Sequence, residues 1–443
     1  MNQEDFATMD AKKLFFKLSI PSLISMLFSS LYMMVDGMFV GKVIGSKALA
    51  AINLVFPIIM VIFAFGDMIA SGASVKIGIR LGEKREKEAS EIFSVALLFI
   101  VILDIIFALI SLIFAKDIIF YLIKDKSLAE LSYKYAYVFI LFLPLNGPFF
   151  AIDNYLRICG KAKMSMWINI IVSVLNIILD TILIGYFKLT IEYAALSSAI
   201  SMAIGTLILI YPFVTNKLVL KFTKFKVDIK DMAGIIYNGS SEFFSNISGS
   251  IMAIIINSFL LYLGGSVAVA AYAIITYIES LMVPILFGMI DSIQPVISYN
   301  YGAKNKNRIM DFFKISCLVA GSISFVTMII MLVFPDFLVN LFASSSDVEV
   351  VKMTKNALLL YAPSYLFTWF IMLSSGFLTG LEKATYSIVL MSLESVIIPL
   401  TMTIILTYFM GVYGIFVTPT ISGGIALIIA ILLWRKSVKE MNF

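Results

Sequence analysis

The sequence consists largely of apolar runs that are each long enough to cross a lipid bilayer as a helix, which takes about 20 residues. The runs cover roughly residues 15–40, 48–75, 91–115, 131–156, 164–187, 193–215, 233–262, 266–298, 311–334, 355–380, 384–409 and 412–434. They are continuous and do not alternate between polar and apolar residues, so they exclude a transmembrane β-barrel. We therefore expect an all-α polytopic membrane protein with twelve transmembrane helices.

The composition excludes several other classes of protein. Hydrophobic residues make up 61% of the chain and charged residues only 14%, against about 25% charged residues in a soluble domain. The chain contains no histidine, which rules out a histidine-based zinc site, catalytic triad or proton relay. No phosphate-binding loop of the GxxxxGK[ST] type is present. We expect neither an enzyme nor a cofactor, and any proton chemistry must use Asp, Glu or Tyr.

The basic residues between the runs indicate how the chain is oriented. Of the 33 Lys and Arg residues, 24 fall on one side of the membrane, and this count includes Arg157 at the end of the fourth run. The positive-inside rule places that side, and with it both termini, in the cytoplasm. No Lys or Arg lies near the middle of a run. The net charge of +5 therefore reflects topology, and we expect no binding of nucleic acid.

The two halves of the chain resemble each other at an offset near 220 residues. Four pairs of similar strings occur in the same order in both halves, and one of them is LGEKREKEA at 81–89 with YGAKNKNRI at 301–309. The offset contains six helices, so both halves enter the membrane in the same direction as parallel repeats. This organisation predicts an N-lobe at 1–216 and a C-lobe at 233–443. The predicted linker at 217–232 is expected to lie on anionic lipid at the cytoplasmic surface, with a regulatory or partner site as the alternative.

Carboxylates inside the runs require an explanation, because a charge in hydrocarbon costs about 2.5–3.5 kcal/mol or more. Asn176 and Asp180 lie one turn apart on the fifth run, as do Tyr32 and Asp36 on the first. If these helices pack together, Asp36, Asn176 and Asp180 form one site for Na⁺ or for a shared proton. The alternative is a polar network that only fixes helix packing. The other acids in the runs are Asp67, Asp104, Asp153, Glu242, Glu279, Asp291 and Glu394.

Four short strings carry a resemblance to a known family of transporters. They are DGMFVG at 36–41, LRICG at 156–160, Asn176 with Asp180, and QPVISYNYGA at 294–303. Together with the twelve runs and the repeat, they resemble the MATE (multidrug and toxic compound extrusion) family over nearly the whole chain, and most closely its MepA-type bacterial branch.

The resemblance implies two six-helix lobes around a central cavity in the bacterial cytoplasmic membrane. We expect a monomer surrounded by membrane lipid. It implies export of lipophilic organic cations in exchange for H⁺ or Na⁺ by alternating access. Asp36, Asp180 and Asn176 match the family's coupling site, and Asn154 and Ser198 are expected to line the same pocket. Pro21 matches a proline associated with bending of the first helix. The expected substrate-cavity residues are Tyr32, Glu242, Glu279, Asp291 and Glu394, of which Glu394 has no acidic counterpart in many relatives.

Other functions remain open at this point. A flippase of the wider superfamily would move a lipid-linked precursor, but such proteins typically have cationic cavities and often extra helices. A channel or membrane enzyme would need a filter-like repeat or a nucleophile–base pair, and neither is evident. For coupling we favour H⁺, because three side-chain ligands are few for Na⁺ whereas two close carboxylates can share a proton. The sequence does not identify the transported drugs.

Overall fold

The computed structural model describes residues 1–224, 229–341, 348–441 and 443. Residues 225–228 of the predicted linker at 217–232 lie outside the described residues. Within the described ranges the chain forms helices and contains no β-strand. Eleven of its helical segments are long and apolar enough to cross a membrane, and one of them, Lys230–Ser280, continues through a break at Gly265. Dividing that segment at the break gives twelve crossings, as the sequence predicts.

The first half begins with a short helix and continues with six crossings. The fourth crossing consists of two helices that are separated at Gly147, where Pro144 and Pro148 remove backbone N–H donors. The helices are α1 (Asp5–Thr8), α2 (Ala11–Phe39), α3 (Ser46–Gly82), α4 (Glu86–Leu122), α5 (Lys126–Asn146), α6 (Pro148–Ile158), α7 (Ala162–Asp180) and α8 (Ile191–Val214). Pro21 lies inside α2 and has no backbone N–H, so the Lys17 carbonyl has no helical hydrogen-bond donor. The bending of this helix at Pro21 stays a prediction.

The second half repeats this plan with a long helix at its start. At Gly265 that helix has φ of +62° and ψ of −158°, a conformation open to glycine but strained for other residues. The helices are α9 (Ile229–Gly302), α10 (Lys306–Val333), α11 (Pro335–Asn340), α12 (Val348–Tyr361), α13 (Tyr365–Gly380), α14 (Ala384–Ser392), α15 (Ile398–Met410) and α16 (Val412–Glu440). α12 with α13, and α14 with α15, each make one crossing.

Three crossings contain a π-helical turn, and each turn adjoins a carboxylate named in the sequence analysis. Val40–Ile44 begins one turn after Asp36, Thr181–Tyr186 follows directly after Asp180, and Leu393–Ile397 contains Glu394. A π turn accommodates an extra residue in the helix, and such turns are frequent at functional sites. The local backbone therefore singles out the same three acids.

The two halves pack against each other mainly where α3 and α2 meet α9. Glycines allow the backbones to come very close. A Cβ atom added to Gly82 would lie 1.9 Å from the Tyr299 carbonyl oxygen, and one added to Gly239 would lie 1.7 Å from that of Met68. No side chain larger than hydrogen fits at these positions without movement of a helix.

Several polar contacts between the halves lie at the end of the molecule that contains Gly82. Ser19 Oγ and Ser292 Oγ are 2.8 Å apart, and Lys76 Nζ lies 3.0 Å from Asp231 Oδ1. The Asn300 amide donates to the Phe6 carbonyl at 3.1 Å. We call this end the closed end; it contains the start of α2, the end of α3 and both ends of α9.

The glycine contact can be tested by adding one methyl group. Gly239→Ala should destabilise the folded protein by about 1–3 kcal/mol, the range for overpacking a close contact, and lower the thermal midpoint in detergent. The matched control is Gly249→Ala on the same helix, where an added Cβ meets nothing within 4 Å. Equal midpoints for the two variants would contradict the close approach of α3 and α9.

Candidate functional site

A pocket of about 200 Å³ lies inside the N-lobe, among side chains of α2, α3, α5, α7 and α8. Because α2 packs along α7, Asp36 at the end of one helix meets Asp180 at the end of the other. The two carboxyl groups face each other closely enough for one to donate a hydrogen bond to the other when it carries a proton. The pair is therefore built from two crossings that are adjacent in space but distant in sequence.

Hydrogen-bond capacity is left over at this carboxyl pair. The Oδ1 atoms of both Asp36 and Asp180 are buried without a partner among the described residues. Burying an ionised carboxylate without compensation is strongly unfavourable. The pair therefore has the chemistry of a site that holds a proton or a small cation.

Asn176 and Ser198 complete the site beside Asp180. With its amide nitrogen turned towards Asp180, Asn176 donates to Oδ2 at 3.2 Å, and its oxygen accepts from Ser198 Oγ at 2.9 Å. The structure thus brings together Asp36, Asn176, Asp180 and Ser198, as the sequence analysis expects. Among the described residues there is no group of three or more His, Cys, Asp or Glu side chains that could hold a metal ion. A Na⁺ ion here would have to draw on the amide, hydroxyl and backbone oxygens around the two carboxylates.

Two hydroxyl-bearing residues near the carboxyl pair are not among those predicted from the sequence. Tyr135 of α5 is only 2% exposed and its hydroxyl-bearing ring lines the pocket near Asp36. The Ser197 hydroxyl lies beside Asp180. Nothing in the sequence distinguishes Tyr135 from the other 19 tyrosines, whereas Ser197 precedes Ser198 directly and the Ser-Ser pair was a usable signal.

Tyr32 was assigned to the substrate cavity, and the structure corrects that assignment. Its ring lines the N-lobe pocket together with Asp36. The reason is the helical period, since residues four apart share one face of a helix. The observation that places Asp36 in the pocket therefore places Tyr32 there as well.

A larger cavity of about 710 Å³ lies between the two lobes, next to the closed end. Apolar and aromatic side chains, including Phe149, Phe150 and Phe287, form much of its wall. Its acidic lining residues are Asp67, Asp153, Glu242, Glu279, Asp291 and Glu394. The four acids of the second half that the sequence analysis named for a cavity therefore share this one.

Several of these carboxylates have few hydrogen-bond partners. Asp67 Oδ2 accepts from the Asn246 amide at 3.2 Å, and Glu279 accepts from the Tyr361 hydroxyl. Glu394 accepts from its neighbour Ser395 at 2.9 Å. Each carboxylate has more acceptor sites than these contacts use, so a cation entering the cavity would find free oxygen atoms.

Arg157 is the main correction to the sequence analysis, which counted it among the cytoplasmic charges. Its side chain is buried at the floor of the cavity, with Nη2 2.8 Å from Asp153 Oδ2 and Nη1 2.6 Å from Asp291 Oδ2. Arg157 lies in the last turn of α6, and helical side chains point back towards the N-terminus of their helix. The guanidinium therefore reaches back past Asp153 into the cavity.

Asn154 also lies elsewhere than expected. The sequence predicts that it lines the pocket of Asp36, but its side chain lines the central cavity with Arg157 and Phe150. The cause is the helical period, because Asn154 lies one turn after Phe150 on the face of α6 that borders the central cavity. Phe150 lines both the cavity and the N-lobe pocket, so the two sites share one aromatic side chain.

Comparison with known proteins gives matches over most of the chain. A family model described as MatE matches twice, at residues 21–182 and 243–405. The second match begins 222 residues after the first, which agrees with the repeat offset near 220. The multidrug export protein MepA of Staphylococcus aureus (strain MSSA476) is 30% identical over 358 residues, covering 79% of both chains. MepA of Staphylococcus haemolyticus is also 30% identical, over 79% of this chain and 78% of the relative.

Solved structures share the fold. A multidrug resistance MATE family transporter of the MOP superfamily, solved in an outward-facing conformation, gives a TM-score of 0.94 at 24% identity, over 99% of this chain and 98% of the other. A MOP superfamily transporter from Pyrococcus furiosus, described as having a binding pocket of reversed polarity, gives 0.93 at 24% identity over the same shares. At this identity the likeness supports the all-helical architecture and its two repeated lobes.

Proposed function

This chain belongs to the MatE family, and from that premise we propose that it exports lipophilic organic cations in exchange for H⁺ by alternating access. Members of the family are multidrug transporters and not enzymes, and the twelve helical crossings make the chain a membrane protein. The coupling ion, the location in a bacterial cytoplasmic membrane and the cytoplasmic position of both termini belong to the proposal.

The acidic cavity between the lobes is the observation that carries this proposal. It combines six carboxyl groups with one guanidinium and a partly aromatic wall. Aromatic faces attract organic cations, and the attraction is stronger where water is excluded. A flat, apolar molecule with a positive charge matches this lining better than a phosphorylated anion does.

Proton coupling is supported by the second site, the N-lobe pocket. Asp36 and Asp180 form a close carboxyl pair without a cationic side chain in the lining of the pocket. Such a pair holds one proton readily, because two adjacent negative charges repel each other. Phe150 lines both this pocket and the central cavity, which gives a short physical route between proton and drug.

The direction of access follows from the closed end. The lobes meet at the end that the positive-inside rule assigns to the cytoplasm, so the cavity belongs to an outward-facing state. Both termini are then cytoplasmic, and one protomer contains both sites, which is consistent with a monomer surrounded by lipid.

A flippase for a lipid-linked precursor is the second candidate function. Its anionic headgroup would need basic side chains, but Arg157 is the one basic residue that lines the described cavity. That guanidinium is already paired with two carboxylates. The charge of the lining therefore favours drug export.

We predict that Asp36→Asn abolishes drug export, because an amide cannot release and rebind a proton. Ethidium efflux from an efflux-deficient host measures this, with immunoblotting to confirm membrane expression. The matched control is Asp104→Asn, which changes another buried N-lobe carboxylate that packs against Gly147 outside the pocket and should leave efflux close to wild type. Near-normal efflux by well-expressed Asp36→Asn would overturn the coupling site.

We predict that Glu242→Gln and Glu279→Gln change which cations are exported without abolishing ion-driven export. Both residues line the central cavity and lie outside the N-lobe pocket. The ratio of resistances to a small panel of mono- and dicationic drugs measures the effect. Complete loss of export for every compound would argue that the C-lobe contains the coupling site.

The coupling ion is tested in everted membrane vesicles. One inward charge moving through 100 mV releases about 2.3 kcal/mol, enough to offset the outward movement of one monovalent drug. We predict that drug uptake stops when an ionophore collapses the pH gradient, even with a Na⁺ gradient imposed. Uptake that persists and follows the Na⁺ gradient would replace H⁺ by Na⁺ at Asp36, Asn176 and Asp180.

A further inference from the structure

Arg157 connects the two lobes at the floor of the central cavity. Its Nη1 atom contacts Asp291 Oδ2 of the C-lobe at 2.6 Å, and its Nη2 atom contacts Asp153 Oδ2 of its own helix at 2.8 Å. The contact with Asp153 lies within α6, where the two residues are one turn apart, so it does not depend on how the lobes are arranged. The contact with Asp291 joins α6 to α9 across the boundary between the lobes, so separating the lobes at the closed end would break it.

The two carboxylates are held very differently. Asp153 is buried, and its Oδ1 atom accepts from Ser165 Oγ at 2.6 Å and from the Asn169 amide at 3.1 Å. The Asp291 side chain is 27% exposed to the cavity. A buried charge that loses its partner is left uncompensated. Opening the closed end would therefore leave Arg157 paired with Asp153 while Asp291 becomes a free carboxylate facing the cavity.

We propose that Arg157 is a tethered cation that latches the closed end and competes with the transported cation for Asp291. This inference rests on the proposed export of organic cations. When the closed end opens, Asp291 is free to bind a substrate cation. When it closes again, the guanidinium takes Asp291 back, the substrate loses that partner, and release to the opposite side is favoured. Arg157 is thus a positioning residue for the conformational cycle.

The competition between Arg157 and a substrate cation for Asp291 can be tested without changing the net charge of the cavity floor. Asp153→Asn combined with Arg157→Gln removes one negative and one positive charge, so the net charge of the floor is unchanged while Asp291 is freed. The closed end is locked by a disulfide between Ser19→Cys and Ser292→Cys, whose native Oγ atoms are 2.8 Å apart. Cys159→Ala and Cys317→Ala remove the native thiols. Equilibrium binding of tetraphenylphosphonium to the purified, locked protein is the readout.

The locked double variant should bind tetraphenylphosphonium roughly tenfold more tightly than the locked parent, the scale of one regained contact with a charged group. Adding Asp291→Asn should remove that gain. Equal affinities for the parent and the double variant would overturn the proposed competition for Asp291. If the unlocked wild-type protein neither binds nor exports the probe, the proposed function fails, and the competition for Asp291 fails with it.

The latch is tested separately by the rate of disulfide formation between the two introduced cysteines in membranes. Asp291→Asn, which leaves the Arg157–Asp153 pair intact, should slow this reaction several-fold because the closed end is less populated. Asp231→Asn is the matched control: it breaks an ion pair with Lys76 at the same end in which the Asp231 side chain is 51% exposed, and a partly exposed pair of this kind contributes little. An unchanged rate in Asp291→Asn would overturn the latch, whatever the transport assays show.

Discussion

The rest of this structure depends on the energetic penalty for holding charge in a medium that cannot solvate it. Large apolar side chains such as Ile113, Leu207 and Leu318 face outward, where lipid is their natural solvent. The interior contains two groups of carboxylates. One is the pair of Asp36, which lines the N-lobe pocket, and Asp180 beside it, and the other consists of the six acids that line the cavity between the lobes. In both sites the charges are left partly unsatisfied, and that incomplete compensation is what makes them available to ions from outside the chain.

The two sites differ in a way that fits a division of labour. The pocket is small, lies within one lobe and has its oxygens arranged around a carboxyl pair. The cavity is several times larger, lies between the lobes and combines acids with aromatic rings. In the proposed cycle, movement of the lobes would change the shape of the cavity directly, and Phe150, which lines both spaces, would pass that change to the pocket. A small ion and a large organic cation can therefore occupy separate places and still influence one another.

The sequence was sufficient for the fold and for part of the site. Membrane-length runs, the repeat and the one-turn spacing of Asn176 and Asp180 are visible in the order of the residues alone. They can therefore be recognised without knowing how the helices pack. Arg157 and Asn154 were misplaced because their positions depend on which face of α6 borders the cavity and on the direction in which that helix projects its side chains. Tyr135 was missed for a related reason: only the packing of α5 against its neighbours distinguishes it from the many tyrosines at helix surfaces.

The glycine contacts at the closed end also have an entropic consequence. Ordering a long side chain at an interface costs up to about 2 kcal/mol of rotamer freedom, and glycine has none to lose. Where Gly82 and Gly239 meet carbonyl oxygens of the facing helix, two backbones that are already ordered come together. In the proposed alternating-access cycle, closing and reopening this end would therefore change rotamer freedom little at these positions, which favours a contact that has to form and separate repeatedly.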